Sequence, residues 1–295
     1  MRQATGLIAP ALAVLAFFFI VPSLYNLRLG FFDLDLASLA RGGRFVGLAN
    51  YDALTRDAHA RLALTNTVLW LTLVTVVARL VLGMVIALLL NSAALQRWRL
   101  RGIARALMLI PWATPPVVAV ATWKWMLEQQ YGIVNQVLVA LGLISSPIAF
   151  FAMTSTVWLA VDTIIVWREV PFVVLSFLAG LQSISREYYD AARVDGANDL
   201  AAFKYITLPL LAPIVGVVGL LSTIWTFNNF VYVWLSTRGG PGYFTTVLGT
   251  QVYLEAFTNY RLGYSAALGM AMTGILVLFA LVYFRVVFRR SLVTS

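Results

Sequence analysis

The sequence contains no cysteine, only one histidine and few charged residues. The absence of cysteine excludes disulfide bonds and thiolate metal sites, and the lone His59 excludes a metal centre built from several histidines. Charged residues make up 11% of the 295-residue chain, whereas hydrophobic residues make up 61% and the mean hydropathy is +0.86. Because a soluble domain carries roughly 25% charged residues, the apolar excess must face lipid. We therefore predict an integral membrane protein with no metal site.

The sequence also lacks the G-x-x-x-x-G-K-[ST] pattern of a P-loop, so the chain cannot bind ATP through that motif. An intramembrane enzyme would need a histidine-containing metal site or a nucleophile set, and the single histidine supplies neither. We therefore predict no catalytic residue and no cofactor in this chain.

Six long apolar stretches predict an all-α fold with six transmembrane helices, since about 20 apolar residues cross a bilayer. The first stretch could be read as a signal peptide, but its apolar run is long for one and further spans follow. Another apolar stretch, Ile133–Leu143, is too short to cross and is expected to lie at the membrane interface. Residues 1–295 are thus expected to form one transmembrane domain, with spans at about 7–27, 64–90, 105–126, 151–178, 209–235 and 263–286.

The net charge of +9 is interpreted as a signal of membrane orientation. Six spans place both termini on one side, and Arg2, Arg289 and Arg290 mark that side as cytoplasmic by the positive-inside rule. The basic residues lie in short loops and at the chain ends rather than in a stripe with exposed aromatics, so nucleic acid is not an expected partner. We predict a multi-pass protein of the cytoplasmic membrane, surrounded by lipid, with both termini in the cytoplasm.

The segment between the fourth and fifth predicted spans, residues 185–209, has the pattern of two short helices joined by a turn. Ser185 can cap the first helix, and Gly196 is the natural place for the chain to break it. Ala191 and Ala192 on one face would let another chain come close. On this pattern alone, the segment is either a docking surface or a packed surface helix with no partner.

This segment resembles the EAA loop of binding-protein-dependent permeases. The resemblance rests on the spacing from Asp190-Ala-Ala through Gly196 and Ile206 to Leu208-Pro209, with aspartate in place of the family's first glutamate. It implies a coupling helix that sits in a cleft of a separate ABC ATPase subunit, where ATP and magnesium are bound. The residues expected to couple this chain to the ATPase are Glu187, Asp190, Ala191, Ala192, Gly196, Leu208 and Pro209.

Polar residues at membrane depth indicate a second site, because such residues usually face a cavity or pair with one another. Ser222, Trp225, Thr226 and Asn229 recur at spacings of three and four, so they are expected to share one helix face. Hydroxyl and amide groups beside an aromatic ring suit a sugar. The same groups could equally form hydrogen bonds between helices.

Three charged residues fall inside the fourth predicted span: Asp162, Arg168 and Glu169. They could contact a solute or pair with one another. Since adjacent residues on a helix point about 100° apart, Arg168 rather than Glu169 is expected to meet a partner on another helix.

The rest of the chain resembles the MalF-like branch of carbohydrate permeases. The resemblance implies the type I (MetI-like) ABC importer permease fold, with a MalG-like second permease subunit, an ATPase dimer and an extracytoplasmic solute-binding protein as partners. The large outer domain and two extra N-terminal helices of the maltose permease are not expected here, and Arg79 departs from the apolar pattern of the second span. The matching pieces are Phe45–Tyr51, Leu109–Pro115, Pro171-Phe172, Ala179–Gln182, Phe227–Phe230 and Gly239–Pro241.

The same resemblance implies a set of solute contacts, and charged residues stand where the maltose permease has apolar residues or glycine. We expect the import of a di- or oligosaccharide such as trehalose or a maltose-like sugar, with glycerol phosphate or a sugar acid as the alternative. Asp162 and Glu169 within the membrane are also compatible with an ion-coupled secondary carrier, but the EAA-like loop argues against that alternative. The expected solute contacts are Trp112, Arg168, Glu169, Phe172, Ser222, Trp225, Thr226 and Asn229.

Overall fold

The computed structural model describes residues 2–92 and 101–291. The chain forms two compact units. One unit comprises Met1–Leu64 and Thr246–Val277, and the other comprises Thr65–Thr245 and Leu278–Ser295.

The described residues contain five helices long and apolar enough to cross a membrane, and a sixth span if two helices meeting at 97° count as one. The prediction of an all-α membrane fold is therefore confirmed. Helices suit this setting because lipid cannot satisfy backbone hydrogen bonds. In chain order, span one is Ile8–Leu29, span two Ala58–Asn91, span three the pair Gly102–Ala113 and Pro116–Met126, span four Val157–Ser183, span five Asp199–Phe227 and span six Leu262–Val286.

Shorter elements lie between the spans. A two-stranded antiparallel ladder, β1 (Phe32–Asp33) and β2 (Arg44–Phe45), is a small departure from the all-α expectation. The apolar stretch that was predicted to be too short to cross forms a helix of 8 residues, Ile133–Ala140. Further short α-helices include Ala49–Arg56, Arg186–Val194, Val231–Ser236 and Leu248–Tyr253.

Span three is sharply bent at its prolines. The sequence predicts one helix across residues 105–126, but the first half ends at Ala113 and the second begins at Pro116. Pro115 adopts extended backbone angles, φ −57° and ψ 141°. Helical backbone angles are disfavoured for a residue that precedes a proline. Thr114 precedes Pro115, and Pro115 precedes Pro116. The bend therefore follows from two consecutive prolines.

Spans two and four also differ from their expected limits. Span two begins at Ala58 rather than near residue 64, and span four begins at Val157 rather than near 151. The residues before span four form turns, in which Thr156 Oγ1 donates to the carbonyl of Phe150 at 2.9 Å. Apolar composition alone does not distinguish such turns from the first turn of a helix.

Span five is longer than expected and continuous. The sequence predicts a separate short helix before Pro209, yet the helix runs unbroken from Asp199 to Phe227. Pro209 has no N–H to donate to the carbonyl four residues earlier. The wider π turn of Phe203–Thr207 lies where that bond is missing and keeps the chain helical. The span ends at Phe227, and Val231–Ser236 is a separate helix.

The core of the second unit forms where spans two, four and five pack together. Val173, Val174 and Phe177 of span four are fully buried, as is Leu211 of span five. Gly83 lets span two approach closely, because a Cβ atom there would lie 2.5 Å from Cγ1 of Val173. Small residues at such contacts are typical of helices packed in membranes.

In the first unit, side-chain hydrogen bonds tie the segment after span one to its neighbours. Asn50 Nδ2 donates to the carbonyls of Gly30 at 3.0 Å and Phe32 at 2.9 Å. Tyr264 Oη donates to Asp57 Oδ2. Burial disfavours the charged form of Asp57, but hydrogen bonds from Tyr264 and the His59 amide outweigh it and hold its pKa below the ordinary value of 3.8.

Replacing Gly83 with alanine tests the close contact of spans two and four. The added methyl would meet Val173, so we expect the free energy of unfolding in detergent to fall by about 1–3 kcal/mol. Gly274→Ala is the matched control, because no described atom lies within 4 Å of a Cβ atom there. Equal stability of the two variants in a denaturant titration would contradict the packing.

Candidate functional site

The helix Arg186–Val194, the docking helix, has the local signals that the sequence predicts. Ser185 caps it, with Oγ accepting from the amide of Glu187 at 3.3 Å. The helix ends at Val194, and Gly196 follows with φ +80°, a left-handed conformation that favours glycine. Both the predicted cap and the predicted break are confirmed.

The residues expected to couple to an ATPase lie on or near the surface of this segment. Glu187, Asp190 and Ala191 are exposed, and Ala192 is half-buried. Asp190 pairs with Arg193 at 3.3 Å, but both side chains are about 70% exposed, so the pair adds little stability. Gly196 is also exposed, whereas Leu208 and Pro209 lie within span five with exposed side chains.

A contact that the sequence did not reveal joins the docking helix to span five. Tyr189 Oη and Thr207 Oγ1 lie 2.9 Å apart, and Thr207 is buried. The neighbouring Tyr188 is instead 56% exposed. The two hydroxyls belong to residues 18 positions apart in sequence, and helical periodicity predicts contacts only between residues three or four positions apart.

Five of the expected solute contacts line one cavity of about 200 Å³ in the second unit. Two aromatic residues form part of its wall, since the rings of Phe172 and Trp225 have centroids 5.1 Å apart at a tilt of 60°. The cavity also has an unexpected member, Arg79 from span two. Its lining residues are Arg79, Trp112, Arg168, Glu169, Phe172 and Trp225.

Arg79 is the centre of a polar network between three spans. Its side chain is 1% exposed, and Nη1 forms an ion pair with Glu169 of span four. Nη2 donates to Thr226 Oγ1 and, at 3.2 Å, to the carbonyl of Ser222 in span five. Thr226 and Ser222 are themselves buried. Thr226 Oγ1 therefore forms the hydrogen bond between helices that the sequence left open as its alternative role. Ser222 contributes its backbone carbonyl, and its own Oγ has no hydrogen-bond partner among the described residues.

The expectation about the charges of span four was wrong in one respect. Glu169, not only Arg168, reaches another helix, because Arg79 of span two supplies its partner. Arg168 Nε donates to the carbonyl of Thr114 at 2.9 Å, at the bend of span three. Asp162 pairs with neither. It is 8% exposed, and its Oδ1 has no hydrogen-bond partner among the described residues.

Asn229 does not share a helix face with the other three polar residues of its set. Span five ends at Phe227, where the side chain of Asn228 donates to the carbonyl of Ile224 at 2.9 Å. Asparagine commonly competes with the helix in this way. Asn229 Oδ1 instead accepts from the amide of Tyr232 at 3.4 Å.

Arg79 was missed as a site residue, although the sequence carried a signal for it. An arginine in the middle of an apolar span is costly and usually faces the protein interior or a cavity. That rule marks the residue as functional, but its partner could be named only from the structure. Among the described residues no group of three or more His, Cys, Asp or Glu side chains could hold a metal ion.

Residues 79–292 match the family model described as "Binding-protein-dependent transport system inner membrane component". The chain belongs to this family. The matched region holds the docking helix and every residue lining the cavity.

Full-length relatives support the assignment of this permease. It is 35% identical over 281 residues to the sulfoquinovosyl glycerol transport system permease protein SmoG of Agrobacterium fabrum, covering 95% of this chain and 89% of that one. It is 38% identical over 248 residues to the trehalose/maltose transport system permease protein MalF of Thermococcus litoralis, covering 82% and 79%. The resemblance to MalF-like permeases is confirmed.

A solved structure confirms the fold of the permease. A bacterial ABC transporter involved in the import of the acidic polysaccharide alginate contains a chain that superposes with a TM-score of 0.79 at 19% identity. The match covers 98% of this permease and 96% of that chain. At this identity the likeness shows the type I (MetI-like) importer fold alone.

Removing the carboxylate of Glu169 tests whether Arg79 depends on it. Glu169→Ala leaves a buried guanidinium without its counter-charge, so we expect a loss of about 3–5 kcal/mol in the free energy of unfolding. The double variant Arg79→Met with Glu169→Leu removes both charges and should recover most of that loss. Asp190→Ala, which breaks an exposed pair, serves as the control and should cost less than about 1 kcal/mol. A Glu169→Ala protein as stable as the wild type would contradict the network.

Proposed function

We propose that the chain is a permease subunit of a binding-protein-dependent ABC importer that moves a saccharide into the cytoplasm. The observation that carries this proposal is the path of span five. Its 29 residues run from the turn beside the docking helix to the cavity-lining Trp225. At 1.5 Å per residue the helix is roughly 43 Å long. Movement of the docking helix would therefore displace the end of span five that lines the cavity.

The partners follow from the parts that this chain lacks. ATP and magnesium would be bound by an ABC ATPase dimer, since the sequence has no P-loop. A MalG-like second permease subunit would complete the pore as a heterodimer, and an extracytoplasmic solute-binding protein would deliver the solute. The docking helix and both termini would then lie in the cytoplasm, consistent with the basic residues near the chain ends.

The saccharide class is supported by the cavity and by the relatives. Trp112, Phe172 and Trp225 offer aromatic surface for the C–H faces of a sugar ring, and polar groups for its hydroxyls lie beside them. The relatives named above transport sulfoquinovosyl glycerol and trehalose or maltose. A di- or oligosaccharide is the solute class that we propose on these grounds, either neutral, as trehalose and maltose are, or containing a sugar acid.

The proposed mechanism is alternating access. ATP binding closes the ATPase dimer, and the docking helix moves with it. Glu187, Asp190 and Ala191 would lie at the contact with the ATPase, and Gly196 would set the angle between the docking helix and span five. The cavity would open outward to receive the solute, and hydrolysis would return it to the inward-facing state.

Substitution of Gly196 by valine tests the mechanical role of the turn. A branched side chain is strained at φ +80°, so the docking helix should be misplaced. We expect the solute transported per ATP hydrolysed in proteoliposomes to fall several-fold. Gly142→Val is a matched control, because both glycines have positive φ and open space around a Cβ atom. Full coupling in the Gly196→Val protein would reject the docking role.

Tyr189→Phe tests the link between the docking helix and span five. Loss of the hydroxyl removes the contact with Thr207 and leaves the ring in place, so transport should fall while ATPase association persists. Tyr188→Phe removes a hydroxyl from the neighbouring exposed ring and should transport normally. The link is disproved if the two variants have the same ratio of transport to ATP hydrolysis.

A further inference from the structure

We propose that the cavity of this permease selects a saccharide unit that carries one anionic group, which Arg168 binds. The inference rests on the proposed function, since it names the chemical class of solute within that site.

Among the side chains that the structure describes, one positive charge on the cavity wall has no carboxylate partner. Two guanidinium groups, Arg79 and Arg168, and one carboxylate, Glu169, line it. Glu169 is paired with Arg79. Arg168 forms no ion pair with any carboxylate in residues 2–92 and 101–291, although Asp162 is six positions earlier in the same helix.

The unpaired charge of Arg168 lies deep within the membrane-spanning region. Arg168 lies near the middle of the 27-residue span four, where a charged side chain is expensive and marks a functional site by default. A neutral solute would leave that charge uncompensated whenever the cavity closes around it. An anionic solute would supply the missing counter-charge only while it is bound.

The side chain of Arg168 is anchored by the bend in span three. The first half of that span ends at Ala113, so the carbonyl of Thr114 accepts from Arg168 Nε instead of continuing a helix. This bond uses one of the five guanidinium N–H donors. The terminal nitrogens carry the other four, close to the hydroxyl of Tyr232, and a guanidinium binds a carboxylate or sulfonate through such paired donors. The anchor therefore fixes the guanidinium at the cavity wall.

The size of the cavity limits what it can hold. About 200 Å³ is below the roughly 300–1,000 Å³ of pockets for drug-sized ligands, so the part of the site that this chain lines is about large enough for one sugar ring. The tilted rings of Phe172 and Trp225 give such a ring an apolar wall. The unit held here would be the ring that bears the anionic group.

Paired glycosides that differ only at one ring substituent test the proposal. Methyl β-glucuronide and methyl β-glucoside share the same ring, but the first has a carboxylate where the second has a hydroxymethyl group. Isothermal titration would be performed on the permease purified alone and on its complex with the ATPase and second permease subunit. We expect the dissociation constant of the glucuronide to be about tenfold lower than that of the glucoside, because the glucuronide gains one charge-assisted contact.

Arg168→Gln should abolish this preference, since glutamine keeps hydrogen-bonding capacity but carries no charge. Arg44→Gln removes an exposed arginine of the first unit and should keep the preference. Equal binding of the two glycosides, no binding of either, or an unchanged preference in Arg168→Gln would overturn the inference. Failure to assemble with an ATPase would instead contradict the proposed function, because the titration on the isolated permease does not depend on assembly.

Discussion

The continuity of span five is the constraint on which the rest of the structure depends. A lipid-embedded backbone must satisfy its own hydrogen bonds, and span five, unlike the bent span three, does so without interruption. At Pro209 the chain adopts a π turn rather than a break. As a result, the docking helix and the cavity are connected by one helix, held near its start by Tyr189 and near its end by Arg79.

The Arg79 network explains why the cavity can be both polar and stable. Packing between lipid-exposed helices gains little from the hydrophobic effect, so close contacts and interhelical hydrogen bonds hold them together. Arg79 and Glu169 neutralise each other inside the protein, and Thr226 Oγ1 and the carbonyl of Ser222 accept from Arg79 Nη2. The same network leaves Arg168 as the positive group on the cavity wall, so stability and solute recognition are assigned to different arginines.

Much of the fold was accessible from the sequence, because long apolar stretches and local capping signals are properties of short segments. The cap at Ser185 and the left-handed Gly196 follow from residue type alone. The bend of span three and the π turn before Pro209 could not be predicted from residue type, because a proline can either break a helix or be accommodated within it. The partner of Glu169 also stayed hidden, because Arg79 is 90 residues away and only tertiary packing brings them together.

The most direct test of the account is a distance measured within span five. The chain has no native cysteine, so spin labels can be placed at Leu200 and Val217, both exposed. Seventeen residues of helix correspond to about 26 Å. Double electron–electron resonance should give the same distance between the two labels in the nucleotide-free and the ATP-bound complexes. A second, shorter distance on ATP binding would show that the π turn is a hinge, and would contradict the transmission of motion through one rigid helix.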